Sequence, residues 1–148
     1  MSAFLSYFYK GNVSINGTIY LSSRYISAKM EEVRAKFRVV YSEEADRFLQ
    51  KLPFKIRSKI IFNIQKSRYL IDPELFKKLD NSDIWEFRTL YNKISYRMLA
   101  FWDKTTAIDT LVIATHGFIK KVNKVPRAEI VKANRIRQVY FNDKKIEK

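Results

Sequence analysis

The sequence predicts an α+β fold of the order β-α-α-β-β-β-α, with helices packed on an antiparallel sheet. Three observations carry this. Apolar residues recur with the helical period in two adjoining segments, residues 43–66, and again after Pro126. Three β-branched and aromatic runs lie between them. The gaps between those runs are too short for parallel crossovers, which makes neighbouring strands antiparallel.

The elements follow in order. FRVVYS (37–42) reads as a short strand. Ser42 is placed to cap the next helix, with Glu43 and Glu44 in its electropositive first turn. Ala45, Phe48, Leu49 and Leu52 form one apolar face. Pro53 suits the first turn of a second helix, whose stripe is Ile56, Ile60 and Ile64. Lys55, Arg57, Lys59, Lys66 and Arg68 mostly line its wet side. IDPELFKKL (71–79) reads as a turn with one helical turn. IWEFRTL (84–90), ISYRMLAFW (94–102) and AIDTLVIATH (107–116) read as strands. After Gly117 and a basic loop, Pro126 opens the last helix, with Ile130, Val131, Ala133, Ile136, Val139 and Tyr140 on its apolar side. All helices are expected on one sheet face.

Residues 1–29 differ: they hold four tyrosines, six serines and no acid, and show no helical period. They read as a poorly ordered extension ahead of a single domain spanning 30–148, with Met30 as an alternative start. No run of about 18 apolar residues predicts a membrane span. Absence of cysteine excludes disulfides and thiolate metal sites and fits a reducing cytoplasm. One histidine argues against an imidazole metal centre, so no metal or other cofactor is expected. With 29 Lys+Arg against 15 Asp+Glu, the net charge of +14 points to a polyanionic partner, nucleic acid first.

Register arithmetic locates the chemistry. A two-residue turn at Asn92-Lys93 pairs Tyr91 with Ile94, and therefore Arg88 with Arg97. Two like charges directly opposite each other are unfavourable unless an anion compensates. That anion is either a ligand or Glu86, which shares the face of Arg88. Gly117 is read as a turn that a Cβ would oppose, and Phe118 as an anchor for the loop. Lys120, Lys121 and Lys124 then precede a helix N-terminus, an arrangement suited to phosphate. From residue 116 onward there are ten Lys+Arg and three Asp+Glu. His116, the only histidine, is either a proton-transfer group or a structural hydrogen-bonding residue at a strand end.

Taken together, Trp85-Glu86-Phe87-Arg88, Tyr96-Arg97, His116-Gly117-Phe118-x-Lys120-Lys121, Pro126, Glu129-Ile130, Ala133 and Tyr140 carry a resemblance. The chain resembles the RelE/HigB superfamily of toxins from type II toxin–antitoxin modules, its phage-derived HigB-like branch above all, from about Phe37 to Tyr140. The resemblance implies a RelE/ParE-like fold with a twisted antiparallel sheet. It also implies a ribosome-dependent mRNA endoribonuclease that blocks translation. In that metal-free reaction the 2′-hydroxyl attacks the adjacent phosphate and leaves a 2′,3′-cyclic phosphate. Arg97 would then hold the scissile phosphate, Lys120 or Lys121 would balance transition-state charge, and Arg88 would position the substrate. His116 or Tyr140 would move protons. Lys124, Arg127, Arg135 and Arg137 would bind the RNA backbone. The expected partners are the ribosome, mRNA and a cognate antitoxin of helix-turn-helix type. One departure is local: Val122-Asn123 and Val125 stand where the branch often has Thr or Ser, so the hydroxyl cap before Pro126 is missing. Two other functions stay open: the resemblance also allows a gyrase-inhibiting toxin of the same superfamily, and the net charge fits a nucleic-acid-binding module without activity.

Overall fold

The computed structural model describes residues 35–105 and 111–146; the readings of residues 1–29 and of Met30 lie outside them. The chain order is β1 (Arg38–Tyr41), α1 (Glu43–Lys51), α2 (Phe54–Ser67), β2 (Phe76–Lys78), β3 (Trp85–Tyr91), β4 (Ile94–Asp103), β5 (Leu111–Lys120) and α3 (Arg127–Ile146). The five strands form one sheet in the order β1-β5-β4-β3-β2.

Local rules explain the helix starts. The Ser42 hydroxyl oxygen accepts from the Ala45 N–H at 3.1 Å and donates to the Thr115 carbonyl, so one residue caps α1 and ties it to β5. Glu43, Glu44 and Asp46 occupy the electropositive first turn. Pro53 precedes α2 and Pro126 precedes α3, with the Pro126 carbonyl accepting from Glu129 and Ile130.

The α+β class holds, with three differences from the sequence reading. First, residues 76–78 form an edge strand instead of a helical turn. The cause is long-range: Phe76 stacks on Phe87 at 4.2 Å and lies 4.9 Å from Trp85. Second, β1 runs parallel to β5, so the sheet is mixed. Both helices and three further strands separate β1 from its partner along the chain, and local spacing carries no trace of that pairing. Third, the helices cover both faces. Ala45, Leu49, Ile60 and Ile64 of the helical hairpin pack with Tyr96, Met98, Ala100 and Val112 on one side. Ala133, Ile130, Tyr140 and Phe141 of α3 pack with Leu99, Phe101 and Ile113 on the other. The continuous run Met98-Leu99-Ala100-Phe101 in β4 is the sequence mark of a strand buried on both sides.

Two details position the site. Asn92 and Lys93 both have positive φ, 48° and 64°, which gives the two-residue turn and pairs Arg88 with Arg97. Between β4 and β5 the register slips: Leu99 pairs with His116 but Ala100 pairs with Ala114, leaving Thr115 as the extra residue of a bulge. β5 also runs on to Lys120, so Gly117 lies within a strand and has no positive φ. Its role is space. A Cβ there would fall 2.1 Å from the Phe48 ring, which lies over it. Replacing Gly117 with Ala is expected to destabilise the fold by about 1–3 kcal/mol through overpacking. In thermal melts, the double variant Gly117→Ala/Phe48→Leu should lose less than the two single losses added together.

Candidate functional site

The α3 side of the sheet carries a grid of polar side chains. Directly paired residues share a face, so the pairings Lys77–Glu86, Glu86–Leu99 and Leu99–His116 define one row across four strands. Arg88–Arg97–Phe118 is the next row, and Leu90–Ser95–Lys120 the one after. Lys120 is therefore diagonal to Arg97, a separation of roughly 7–8 Å that long side chains can span. Arg88 and Arg97 thus flank one buried carboxylate, Glu86, with Lys77 opposite it on β2 and Lys120 one row beyond Arg97; Arg88 also stands 3.6 Å from the exposed Glu74.

Glu86 is buried, 4% exposed, and each of its oxygens meets one guanidinium. Arg88 Nε lies 3.5 Å from Oε1, and Arg97 Nε lies 3.2 Å from Oε2. These are ion pairs whose N–H groups are not aimed along hydrogen bonds, so Oε2 and both Nε atoms keep unused bonding capacity among the described residues. Arg97 Nη1 donates to the Tyr96 carbonyl at 3.1 Å, and Arg88 Nη1 to the Pro73 carbonyl at 3.2 Å. The arginines are thereby held by one edge each. Burial lowers the proton affinity of the Lys120 ammonium, and the nearby Arg97 guanidinium lowers it further, against the opposing pull of Glu86. Such a cluster suits an oxyanion with several non-bridging oxygens, as in a phosphodiester.

The other predicted site residues lie elsewhere. Lys121 is exposed just past β5, Lys124 is exposed in the loop, and Arg127 and Arg135 are exposed on α3. Arg137 turns back over Phe141 at 5.3 Å and stands 3.9 Å from Asp83.

His116 lies within β5, not at its end, and is 3% exposed. Its Nε2 is 2.7 Å from Glu129 Oε2 and its Nδ1 is 3.1 Å from the Thr115 hydroxyl. Burial lowers its proton affinity and outweighs the pull of Glu129. The neutral tautomer consistent with this carries the proton on Nε2 and donates it to Glu129. His116 thus fastens the first turn of α3 to the sheet.

Tyr140 sits at the far end of the sheet, where its hydroxyl donates to Asp103 Oδ2 at 2.6 Å. Asp103 is six residues along β4 from Arg97, roughly 20 Å away. It is fully buried and also receives Lys144 Nζ and the Thr105 N–H and hydroxyl. Burial alone would push its carboxyl up, but these donors hold it well below the usual range. Burial and the bond to Asp103 raise the Tyr140 phenol.

Sequence reasoning missed Lys77, Glu129 and Asp103 as partners in these clusters. Alternation in Phe76-Lys77-Lys78 was the available signal for Lys77. The other two are visible only once α3 is laid on the sheet. Among the described residues no group of three or more His, Asp or Glu side chains is disposed to hold a metal ion, and no helix is long and apolar enough to cross a membrane.

A mixed sheet between a helical hairpin and a single helix, with a cationic cluster on one face, defines a small α+β domain. The chain belongs to the phage-derived protein Gp49-like family (DUF891), whose model matches residues 47–138, well over half of the sequence. That family is a RelE/HigB-like toxin family. A search of curated proteins finds no match.

Two predictions follow from these clusters. His116 binds its proton less tightly when folded than when unfolded, so the unfolded chain takes up more protons below about pH 6.5. Its contribution is complete above that pH and is lost as pH falls toward the lower folded value. Melting points taken from pH 8 down to about 5 should fall more steeply for the native chain than for His116→Gln. Tyr140→Phe removes one donor from a buried carboxylate and should cost about 1.5–3 kcal/mol in denaturant unfolding.

Proposed function

We propose that the protein is a translation-blocking toxin of the HigB-like kind, a ribosome-dependent endoribonuclease that cuts mRNA and is held inactive by a cognate antitoxin. One observation carries the reading: Arg88, Arg97 and Lys120 share one sheet face, the two arginines on the buried carboxylate of Glu86 and Lys120 diagonal to Arg97.

The chemistry needs no group beyond those present at the cluster and on the RNA. The 2′-hydroxyl passes its proton to a non-bridging oxygen of the adjacent phosphate, its oxygen bonds to that phosphorus and the bond to the 5′-oxygen breaks; the products are a 2′,3′-cyclic phosphate, which returns the proton to the Lys120 amine, and a 5′-hydroxyl. Negative charge gathers on the non-bridging oxygens, where Arg97 is the main counter-charge and Arg88 orients the strand. The leaving 5′-oxygen must gain a proton. Lys120 suits that task, because burial and its cationic neighbour make it a stronger acid than an ordinary lysine. His116 and Tyr140 already spend their polar atoms on Glu129, Thr115 and Asp103, so this reading rests on the cations. Lys121, Lys124, Arg127 and Arg135 extend the positive field toward a longer RNA or the ribosome.

Expression in bacteria followed by RNA 5′-end mapping tests this. New ends inside translated messages are expected, with Lys120→Ala and Arg97→Ala each lowering their yield by about 10²–10³. Lys120→Ala leaves the Glu86 pairs in place, so its loss of activity should come without loss of the melting transition. Growth arrest with intact messages would overturn the reading, and inhibited supercoiling in the same cells would redirect it to gyrase.

A further inference from the structure

The helical hairpin on the opposite side of the sheet presents a different basic surface. Helix α2 contains no acidic residue over its 14 positions. Its buried side is Ile60, Asn63, Ile64 and Ser67. Its outer side carries Lys55, Lys59, Phe62 and Lys66, all exposed. At 100° per residue these four lie within about 60° of arc and run roughly 16 Å along the helix. No carboxylate among the described residues pairs with any of the three lysines.

Two aromatic rings stand in the same surface. Phe62 is 48% exposed and Phe54 57% exposed. Lys59 Nζ lies 5.7 Å from the Phe62 ring centre, and Arg57 Cζ lies 6.0 Å from that of Phe54. A merely solvated helix face mixes acids with its lysines, as α1 does, where Glu43 meets Arg47 and Glu44 meets Lys132. On α2 no acid among the described residues pairs with the three lysines, and the Phe62 ring is 48% exposed beside them. Lysines four and seven residues apart on one helix face, with an aromatic interleaved between the last two, are suited to a strand of nucleic acid with unstacked bases.

We infer that the outer face of α2 is a second RNA-binding surface, separate from the arginine cluster. It takes backbone phosphates on Lys55, Lys59 and Lys66 and stacks an unpaired base on Phe62. This inference does not depend on the proposed cleavage.

The test uses the full chain and a short unstructured 2′-O-methyl RNA, which has no 2′-hydroxyl to attack and so reports binding alone. Fluorescence anisotropy is measured across a range of salt concentrations. For Lys55→Gln/Lys59→Gln/Lys66→Gln, the slope of log affinity against log salt should shrink by about 2, the release expected for three phosphate contacts on a single strand. Phe62→Ala should weaken binding about tenfold and leave the slope unchanged. Both variants should melt where the native chain does, since all four side chains are exposed. An unchanged slope in the triple variant would overturn the inference. So would a polyglutamate peptide whose binding is lost in the triple variant while RNA binding is kept, because the surface would then serve an acidic protein.

Discussion

Two guanidinium groups sit directly opposite each other on β3 and β4, and Glu86 is what makes that tolerable. Like charges paired across strands oppose the sheet. Here the carboxylate that offsets them comes from the same face, two residues before Arg88, so strand alternation alone delivers it. Its burial raises the stakes. A buried ion pair contributes little net stability, but removing one partner leaves an uncompensated charge and costs about 3–5 kcal/mol. The arrangement therefore constrains the sequence strongly at three positions while leaving the cluster with more positive than negative charge. An anion can approach that excess without displacing Glu86, since each arginine meets the carboxylate through Nε and turns its other nitrogens elsewhere.

The bulge at Thr115 completes the cluster. Before it, Ile113 faces α3 while Val112 and Ala114 face the helical hairpin. Unbroken alternation would have kept odd-numbered residues on the α3 side and sent Lys120 to the hairpin side. The extra residue reverses the phase, so His116, Phe118 and Lys120 share a face with Leu99, Arg97 and Ser95. The same reversal turns Gly117 toward α1, where the Phe48 ring occupies the space that a side chain would need. One irregularity thus aims a lysine, seats a histidine under α3 and calls for a glycine between them.

How much of this can be read in the sequence depends on whether a feature is local. The Asn92-Lys93 turn sets the register of β3 and β4 by counting, and Arg88 opposite Arg97 follows from it. The Ser42 cap and the proline starts of α2 and α3 are equally local. β2 escaped because three residues have no period of their own and are held by an aromatic stack with β3. The parallel pairing of β1 escaped because its partner lies some seventy residues away. In the site, the bulge is silent in the sequence: nothing about Ala114-Thr115-His116 announces a change of phase. The positions of His116 and Tyr140 escaped for the same reason as the two-sided packing, since their partners Glu129 and Asp103 meet them only when α3 crosses the second face.

Those partners settle how α3 is held, and that bears on the chemistry. Near its start, His116 meets Glu129 and Glu44 meets Lys132. Near its end, Tyr140 and Lys144 converge on Asp103. Both attachments use groups that would otherwise be the obvious proton carriers: His116 lies one row from the cationic cluster, and Tyr140 lies at the far end of the sheet. A helix fastened at two points can present exposed cations such as Arg127 and Arg135 at fixed positions without their taking part in packing. Fixed position matters most for electrostatic stabilisation, where counter-charges that need not reorganise as the reaction proceeds are worth more than mobile ones. The fold accordingly divides its polar residues by partner: the histidine, the tyrosine and Asp103 hold α3 to the sheet, while Lys120 and the two arginines gather on the face of Glu86.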